Sequence, residues 1–365
     1  MLITLAAPAF AGTWYIENGD ITVKASGTEG KNKVSQGNNP EVEDTNTIIT
    51  NQKTDTASSH TVTIDAGNDK VEVTLDNVNI KAGSGSALTS KGDVTLTLKG
   101  DNHLTGGISD TGNYGRNGIA STGSLTITGG ENGSLTAQGG SGADGGHGGH
   151  GIYSNGSLTI SGGSTVTANG GNGGNVSGDG ISSNGSVTIS GGTVTANGGD
   201  GSSGGDGIRS GDIDLSGSLE LTAKAGSPNG KALSQRGNEL DLDDIKDKLG
   251  PGAKVTATDA NGETKQVSIP RPVEPEEPSS SSDGGSATPS TPASPLPGLT
   301  VTDKSGAVIS YTSTQSGNTL TVCVGRFTAS FRISLAALRQ LRAEGIETIT
   351  FQTILCSTTL SVDEL

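Results

Sequence analysis

The chain has few aromatic residues and only two cysteines. Aromatic side chains make up 2% of the 365 residues and hydrophobic residues 30%, which is too little large apolar mass for one ordinary globular core of this length. Both cysteines, Cys323 and Cys356, lie in the last segment, where they form either a bridge or two free thiols. The rest of the chain has no disulfide that could stabilise it. The composition disfavours a conventional globular enzyme fold.

Long hydrophobic runs and an excess of positive charge are also missing. No apolar run approaches the ~20 residues that a transmembrane helix needs, so we expect no membrane insertion. The 38 acidic residues outnumber the 23 basic ones and give a net charge of −15. This charge argues against nucleic acid and anionic membrane surfaces as partners, and it favours cations or neutral sugars.

The first eleven residues, MLITLAAPAFA, form an apolar run that ends in Ala9-Phe10-Ala11. A small residue on either side of a variable one is what a signal peptidase requires before its cut. We interpret residues 1–11 as the tail of an export signal without its charged n-region, and we expect the mature chain to begin at Gly12. A short hydrophobic strand is the alternative. The export signal predicts a secreted, extracellular protein at a bacterial cell surface.

Glycine is abundant, with 60 residues, and it punctuates an internal repeat. The segments IASTGSLTI (119–127), IYSNGSLTI (152–160) and ISSNGSVTI (181–189) are versions of one unit, and a degenerate copy begins at Ile208. Successive copies begin 33, 29 and 27 residues apart and differ in their glycine loops. Each unit holds three short alternating strands and three turns, and strands this short are stable only when coil stacks on coil. The repeat predicts an all-β fold, a right-handed parallel β-helix with three sheets.

The alternation of apolar and polar residues assigns the two faces of each strand. Side chains predicted to point inward are Leu125, Ile127, Leu135, Leu158, Ile160, Val166, Ile181, Val187, Ile189, Val194 and Ala196. Two turn positions repeat an asparagine, in the pairs Asn155/Asn184 and Asn169/Asn197. We expect these amides to stack from coil to coil as hydrogen-bonded ladders.

The sequence predicts three further regions around or after the repeats. The β-helix domain, residues 12–269, begins its coils near residue 20 and ends in a cap. The Pro/Ser/Thr-rich segment 270–298 cannot pack and is predicted to be a linker. Residues 299–365 are predicted to be a small α+β domain, truncated relative to a longer natural chain. The elements expected in the cap and in the small domain are a helix at 243–249, a hairpin of 254–259 with 263–269, strands at 307–312, 319–324 and 346–351, and a helix capped by Ser334 and ended by Gly345.

A family resemblance rests on these repeats. The segments VEVTLDNVNIKAGSGSAL and NGIASTGSLTITGGENGSLTAQGG, with the coils that follow, resemble the bacterial secreted carbohydrate-binding β-helix domains over residues 60–270. That family is similar in fold to the pectate lyases. The resemblance implies polysaccharide binding at a cell surface, helped by calcium, without established lyase chemistry.

A polar column is predicted along one edge of the β-helix. The residues that precede each Gly-Ile strand are Asn117, His150, Asp179 and Asp206. Aspartates in glycine loops, with backbone carbonyls that bend inward, supply the six to eight oxygens of a calcium shell. The predicted metal ligands, with calcium as the cofactor, are Asp144, Asp179, Asp200 and Asp206. Asp-Gly and Asn-Gly are also good turn formers, and the sequence leaves both interpretations open.

A sugar site requires an exposed aromatic ring beside polar groups. Tyr114 and Tyr153 are the tyrosines of the glycine-rich coils, and histidines follow in the neighbouring loop. The predicted carbohydrate-binding residues are Tyr114, Arg116, Asn117, His147, His150 and Tyr153. Loops positioned on a rigid scaffold commonly carry binding residues.

The first functional hypothesis is a non-catalytic polysaccharide-binding module that acts as a monomer on cell-wall or plant-type glycan. The second is a structural or adhesive stalk with protein partners. The third is a calcium-dependent polysaccharide lyase, with Arg116 or Arg209 as its base. These arginines lie on different coils with no second cation beside either, so we predict no catalytic residues and no enzyme activity.

Overall fold

The structure is a computed structural model that describes residues 12–28, 30–109, 113–143, 145–270, 299–302, 309, 311–316, 318–326, 329–343, 345–353 and 357–361. Strands account for 55% and helices for 6% of the structure. The chain divides into two compact units, Met1–Glu276 and Glu277–Leu365. The all-β prediction is confirmed.

The first unit is a β-solenoid of about nine turns. Two 3-10 helices, Ile16–Asn18 and Leu242–Lys248, lie near its ends. Its strands in chain order are Thr13–Tyr15, Ile21–Ala25, Asn32–Gln36, Val42–Asp44, Ile48–Thr50, Val62–Asp76, Asn79–Lys81, Leu88–Thr105, Ile119–Ser121, Leu125–Gln138, Ile152–Ser154, Leu158–Ile160, Thr165–Asn169, Gly173–Val176, Ile181–Ile189, Thr193–Asn197, Gly201–Ser203, Ile208–Leu215, Glu220–Lys224, Leu233–Gln235, Asn238–Glu239, Lys254–Thr258 and Thr264–Ser268.

Parallel pairing between successive coils forms three columns of strands. Each coil contributes one strand, or rung, to each column. The first column pairs Ile119 with Ile152, Ile181 and Ile208 in turn. The second pairs Leu125 with Leu158 and then Val187, and the third pairs Leu135 with Val166 and then Val194. The three predicted sheets are confirmed, whereas the right-handed sense stays a prediction from strand twist.

The core of the solenoid consists of these stacked apolar ladders. Every side chain predicted to point inward is buried, at 1% exposure or less. A strand of three residues buries only two side chains, so its stability comes from the identical position in the coils on either side. Each fully buried Leu, Ile or Val contributes about 1.5–3 kcal/mol relative to an exposed one.

The ends of the solenoid differ slightly from the prediction. The first parallel rung is Thr13–Tyr15, which pairs with Ile48–Thr50, so the coils begin before residue 20. At the other end Lys254–Thr258 and Thr264–Ser268 form the predicted antiparallel hairpin. The predicted helix at 243–249 is a 3-10 helix, Leu242–Lys248, and the Asp241 carboxylate accepts the backbone N–H of Asp243 at its start.

The second unit is a small α+β fold. Its strands are Leu299–Thr302, Thr312–Ser316, Thr319–Cys323, Ser330–Ile333, Thr348–Gln352 and Ser357–Ser361, and its helix is Leu335–Ala343. The Ser334 hydroxyl accepts the N–H of Ala337 at 3.1 Å, and Gly345 follows the helix with φ +84°, as predicted. Half of the strand predicted at 307–312 lies outside the described residues, as does Cys356, and the observed strand begins only at Thr312. None of the described helices is long and apolar enough to cross a membrane.

Candidate functional site

The glycine loops between the third and first columns form a stacked layer of their own. Tyr114 forms a parallel bridge with His147, and His147 forms one with Val176. The strand Gly173–Val176 then pairs in parallel with Gly201–Ser203 of the next coil. The loops therefore repeat their conformation from coil to coil, and each presents one outward side chain to the same exposed column.

A chain of backbone hydrogen bonds between glycines holds this layer together. We call it the glycine spine, and it consists of Gly140, Gly149, Gly171, Gly178, Gly199, Gly205 and Gly226. Each N–H donates to the carbonyl of the glycine before it in this order, at 2.8–2.9 Å. A Cβ built on Gly178 would overlap the carbonyl oxygen of Gly149, and one on Gly205 would overlap that of Gly178. Successive coils thus lie too close at these glycines to accommodate a side chain.

A groove of about 360 Å³ opens beside the spine. Small residues that line it are Gly115, Gly148, Gly149 and Ser177. The side chains that line it are Asn117, His147, His150, Tyr153, Val176 and Arg209. Four of the six predicted sugar-binding residues therefore meet in one concavity, although they come from two different repeats.

Two aromatic pairs give the groove its ring surfaces. The Tyr114 and His147 rings lie 5.3 Å apart and the His150 and Tyr153 rings 5.6 Å apart, the latter nearly parallel at 19°. Tyr114 is 49% exposed and joins the site through His147, since it does not line the groove itself. Tyr153 also accepts a hydrogen bond from the Asn184 amide at 3.0 Å. Arg116 is exposed and is the one predicted residue outside both aromatic pairs and the groove lining.

The predicted polar column exists, and it works as an acceptor ladder. At each rung the side chain accepts the backbone N–H of the equivalent residue in the next coil. Asn117 Oδ1 accepts from His150, His150 Nδ1 from Asp179, Asp179 Oδ1 from Asp206, and Asp206 Oδ1 from Lys231, at 2.7–2.9 Å. The ladder explains why an amide, an imidazole and two carboxylates occupy one repeat position, because each of them offers an acceptor.

Asp179 is the centre of the ladder and is only 3% exposed. Its Oδ2 accepts from Arg209 Nε at 2.7 Å and lies 3.3 Å from His150 Nδ1. Because His150 Nδ1 accepts a backbone N–H, its proton belongs on Nε2 and the ring is neutral. Burial lowers the pKa of His150, the Asp179 carboxylate opposes this, and Arg209 lowers it further. Burial likewise raises the pKa of Asp206.

The predicted calcium ligands do not form one cluster among the described residues. Asp179 and Asp206 are neighbours in the ladder, whereas the exposed Asp200 lies in a second column, where its Oδ1 accepts the Ser227 N–H at 2.7 Å. Asp144 lies outside the described residues. In the described part of the chain, no group of three or more His, Cys, Asp or Glu side chains is arranged to hold a metal ion.

Both predicted asparagine ladders are present. Asn184 Nδ2 donates to Asn155 Oδ1 and Asn197 Nδ2 to Asn169 Oδ1, each at 2.8 Å. Arg209 and Val176 were missing from the predicted sugar site. A signal for Arg209 exists in the sequence, since it follows Ile208 as Tyr153 follows Ile152, and the structure places Tyr153, Ser182 and Arg209 in one register. No repeat position identifies Val176.

No protein-family model, no curated protein and no solved structure matches this chain. The structure supports the resemblance to carbohydrate-binding β-helix domains in the parallel coil architecture alone.

Proposed function

We propose that the solenoid is a non-catalytic module that binds polysaccharide outside the cell, at a bacterial surface. The observation that carries the proposal is the groove in which the His150–Tyr153 pair, Asn117 and Arg209 converge, with the Tyr114–His147 pair at its edge. Ring faces next to hydrogen-bonding groups are the complement of a pyranose, which has an apolar C–H face and a polar rim.

The rigidity of the site supports binding of a repeating polymer. Tyr153 and Arg209 lie on parallel rungs of one column, separated by the rung that carries Ser182. Such rungs lie ~4.8 Å apart, so side chains recur at a fixed spacing along the solenoid axis. Several weak sugar contacts on one rigid axis add through a high effective concentration.

The electrostatics of the groove support binding rather than catalysis. A lyase base needs an unprotonated nitrogen aimed at the substrate. The Arg209 guanidinium is instead held by the Asp179 carboxylate, and the His150 Nδ1 atom accepts a backbone N–H. Arg116, the other candidate base, does not line the groove.

We propose that calcium assists the binding of polysaccharide. Among the predicted ligands that the structure describes, Asp200 is exposed at the surface, whereas Asp179 is buried and Asp206 half-buried. An acidic glycan would supply the remaining oxygens of the shell. This arrangement predicts that chelator weakens retention on acidic glycans and leaves retention on neutral glycans unchanged.

The second candidate, an adhesive stalk that binds protein, is favoured by a different observation. Ile108, Tyr114 and Val176 are exposed apolar side chains at 45%, 49% and 39%, and they lie on neighbouring strands of the loop layer. Exposed apolar residues that lie together commonly mark protein interfaces.

The test is retention of the full chain on a glycan array and on insoluble polysaccharides, with calcium and with chelator. Tyr153→Ala should weaken retention about three- to tenfold, the worth of one aromatic contact, and Tyr153→Phe should keep most of it. Val42→Ala, an exposed apolar residue on another strand, serves as the control. Equal retention of Tyr153→Ala and the unaltered chain would contradict the proposed site, and no retention on any glycan would favour the stalk.

A further inference from the structure

The first described residue contacts a buried carboxylate at the start of the solenoid. Asp44 is 0% exposed, and its Oδ1 accepts the backbone N–H groups of Gly12 and Asn46, each at 3.0 Å. Its Oδ2 accepts Trp14 Nε1 at 2.7 Å. Three donors converge on this one side chain, and all of them belong to residues between 12 and 46, at the start of the solenoid.

The charge on Asp44 lacks a side-chain counter-ion. Among the described residues, Asp44 is in no ion pair, whereas ten other pairs join carboxylates to Lys, Arg or His. Removing a carboxylate from water is costly unless a positive charge compensates it. The Gly12 nitrogen is the one donor of the three that can itself become a cation, through cleavage of the bond before it.

We infer that the chain is cut between Ala11 and Gly12 and that the new α-ammonium group of Gly12 becomes the buried counter-ion of Asp44. An export-associated endopeptidase hydrolyses the Ala11–Gly12 amide with water. The C–N bond breaks, the water oxygen joins the Ala11 carbonyl carbon to give a carboxylate, and the Gly12 nitrogen takes up protons to give –NH₃⁺. The inference is separate from glycan binding, and it rests on the export prediction.

The sequence indicates the bond, and the structure brings the Gly12 nitrogen onto the Asp44 carboxylate. Ala9-Phe10-Ala11 carries the small residues that a signal peptidase requires. Gly12 is buried, so the cut precedes folding. A Cβ at position 12 would lie 2.7 Å from Trp14 Nε1 and 3.0 Å from Asp44 Oδ2, so glycine is the residue that brings its nitrogen onto the carboxylate without a clash.

The first experiment identifies the mature N-terminus. The full chain, with a lysine-containing n-region placed before Met1, is expressed in a secreting bacterial host, and the exported product is analysed by intact mass. A product that begins at Gly12 supports the inference. A product cut at another bond, or one that stays uncut, overturns the processing step, and neither result changes the glycan-retention test.

The second experiment measures the ion pair in two forms of the chain, one that begins at Gly12 and one that retains residues 1–11. Hydrogen bonds to charged donors are about twice as strong as neutral ones. Asp44→Asn should therefore lower the unfolding midpoint by about 3–6 °C more in the form with the free ammonium. Asp259→Asn is the control, since the Asp259 carboxylate is only half-buried and also accepts backbone N–H groups, from Asn261 and Glu263. Equal shifts for Asp44→Asn in both forms would overturn the ion pair.

Discussion

The coils at 62–105 and the glycine-loop coils at 106–230 share one apolar core, but different interactions stabilise their outer edges. In the earlier coils, opposite charges face each other in register, as in Asp65 with Lys91 and Asp76 with Lys99. In the later coils, the glycine spine and the acceptor ladder take that place. The comparison shows that the apolar ladders specify the coil, while the edge chemistry determines whether a coil can carry a groove.

The largest difference between the two kinds of edge is expected when a side chain is introduced into the glycine spine. Gly178→Ala places a Cβ on the carbonyl of Gly149, so the loop layer has to separate at a cost of about 3 kcal/mol or more. Thermal unfolding of the solenoid measures the loss, and glycan retention should fall with it. Gly130→Ala is the matched control, because nothing lies within 4 Å of its Cβ. Equal melting of the two variants would show that the spine contributes little.

The second prediction concerns the buried carboxylate of the ladder. Asp179→Ala removes the acceptor of the Asp206 N–H and the partner of Arg209, and we expect a loss of about 2 kcal/mol. Asp179→Asn keeps an oxygen for the Asp206 amide, so it should lose about half as much. Chemical denaturation compares the three chains, and a larger loss for the Asn variant than for the Ala variant would contradict the ladder.

The third prediction is a pH dependence at the edge of the glycine-loop coils. Burial lowers the pKa of His150, with Asp179 and Arg209 as the charged groups that face it. The unfolded chain binds a proton near pH 6.5 and the folded chain only at lower pH, so stability falls as the pH drops below about 6.5. His150→Asn, which copies Asn117 of the preceding coil, keeps an acceptor and removes the titration. Its stability should fall less between about pH 7 and 5, and parallel profiles would contradict the buried neutral histidine.

The smallest effect is expected in the earlier coils. Lys91→Ala removes an exposed ion pair with Asp65, whose atoms are 3.5 Å apart, and it should change stability by less than about 0.5 kcal/mol. Urea unfolding at low and high salt checks this value. A loss comparable to that of Asp179→Ala would erase the distinction between the two kinds of edge.

Much of the fold was predictable because its signals are local and periodic. Ile119, Ile152, Ile181 and Ile208 repeat at nearly constant spacing, and their alternation with polar residues assigned the core. The stacked asparagines at 155 and 184 were predictable for the same reason. The glycine loops were harder, because glycine carries no side chain whose pattern reports on its environment.

The candidate site was predictable in part. Tyr153, His147 and His150 were identified from residue type and loop position, and the structure brings them into one groove. Arg209 could be identified from its place after Ile208 in the repeat, but its position in the groove with Tyr153 required the register between coils. The contact of Val176 with the groove required the stacking of the loops themselves. The polar column could be recognised as an acceptor ladder only from the atomic positions. The sequence around Asp179 fits a calcium ligand and an acceptor of a backbone N–H equally well.

The sequence by itself determined that this protein is a parallel β-solenoid, since a short strand with one apolar stripe is stable only when it is stacked on its own repeats. Only the tertiary structure determined which hydrogen bonds form at the edges of the coils. The hydrogen bonds from Gly199 N–H to Gly178 and from Asp179 N–H to His150, for example, join residues of different coils that lie far apart along the chain. Their directions depend on the register of whole coils, which is fixed by the packing of the core.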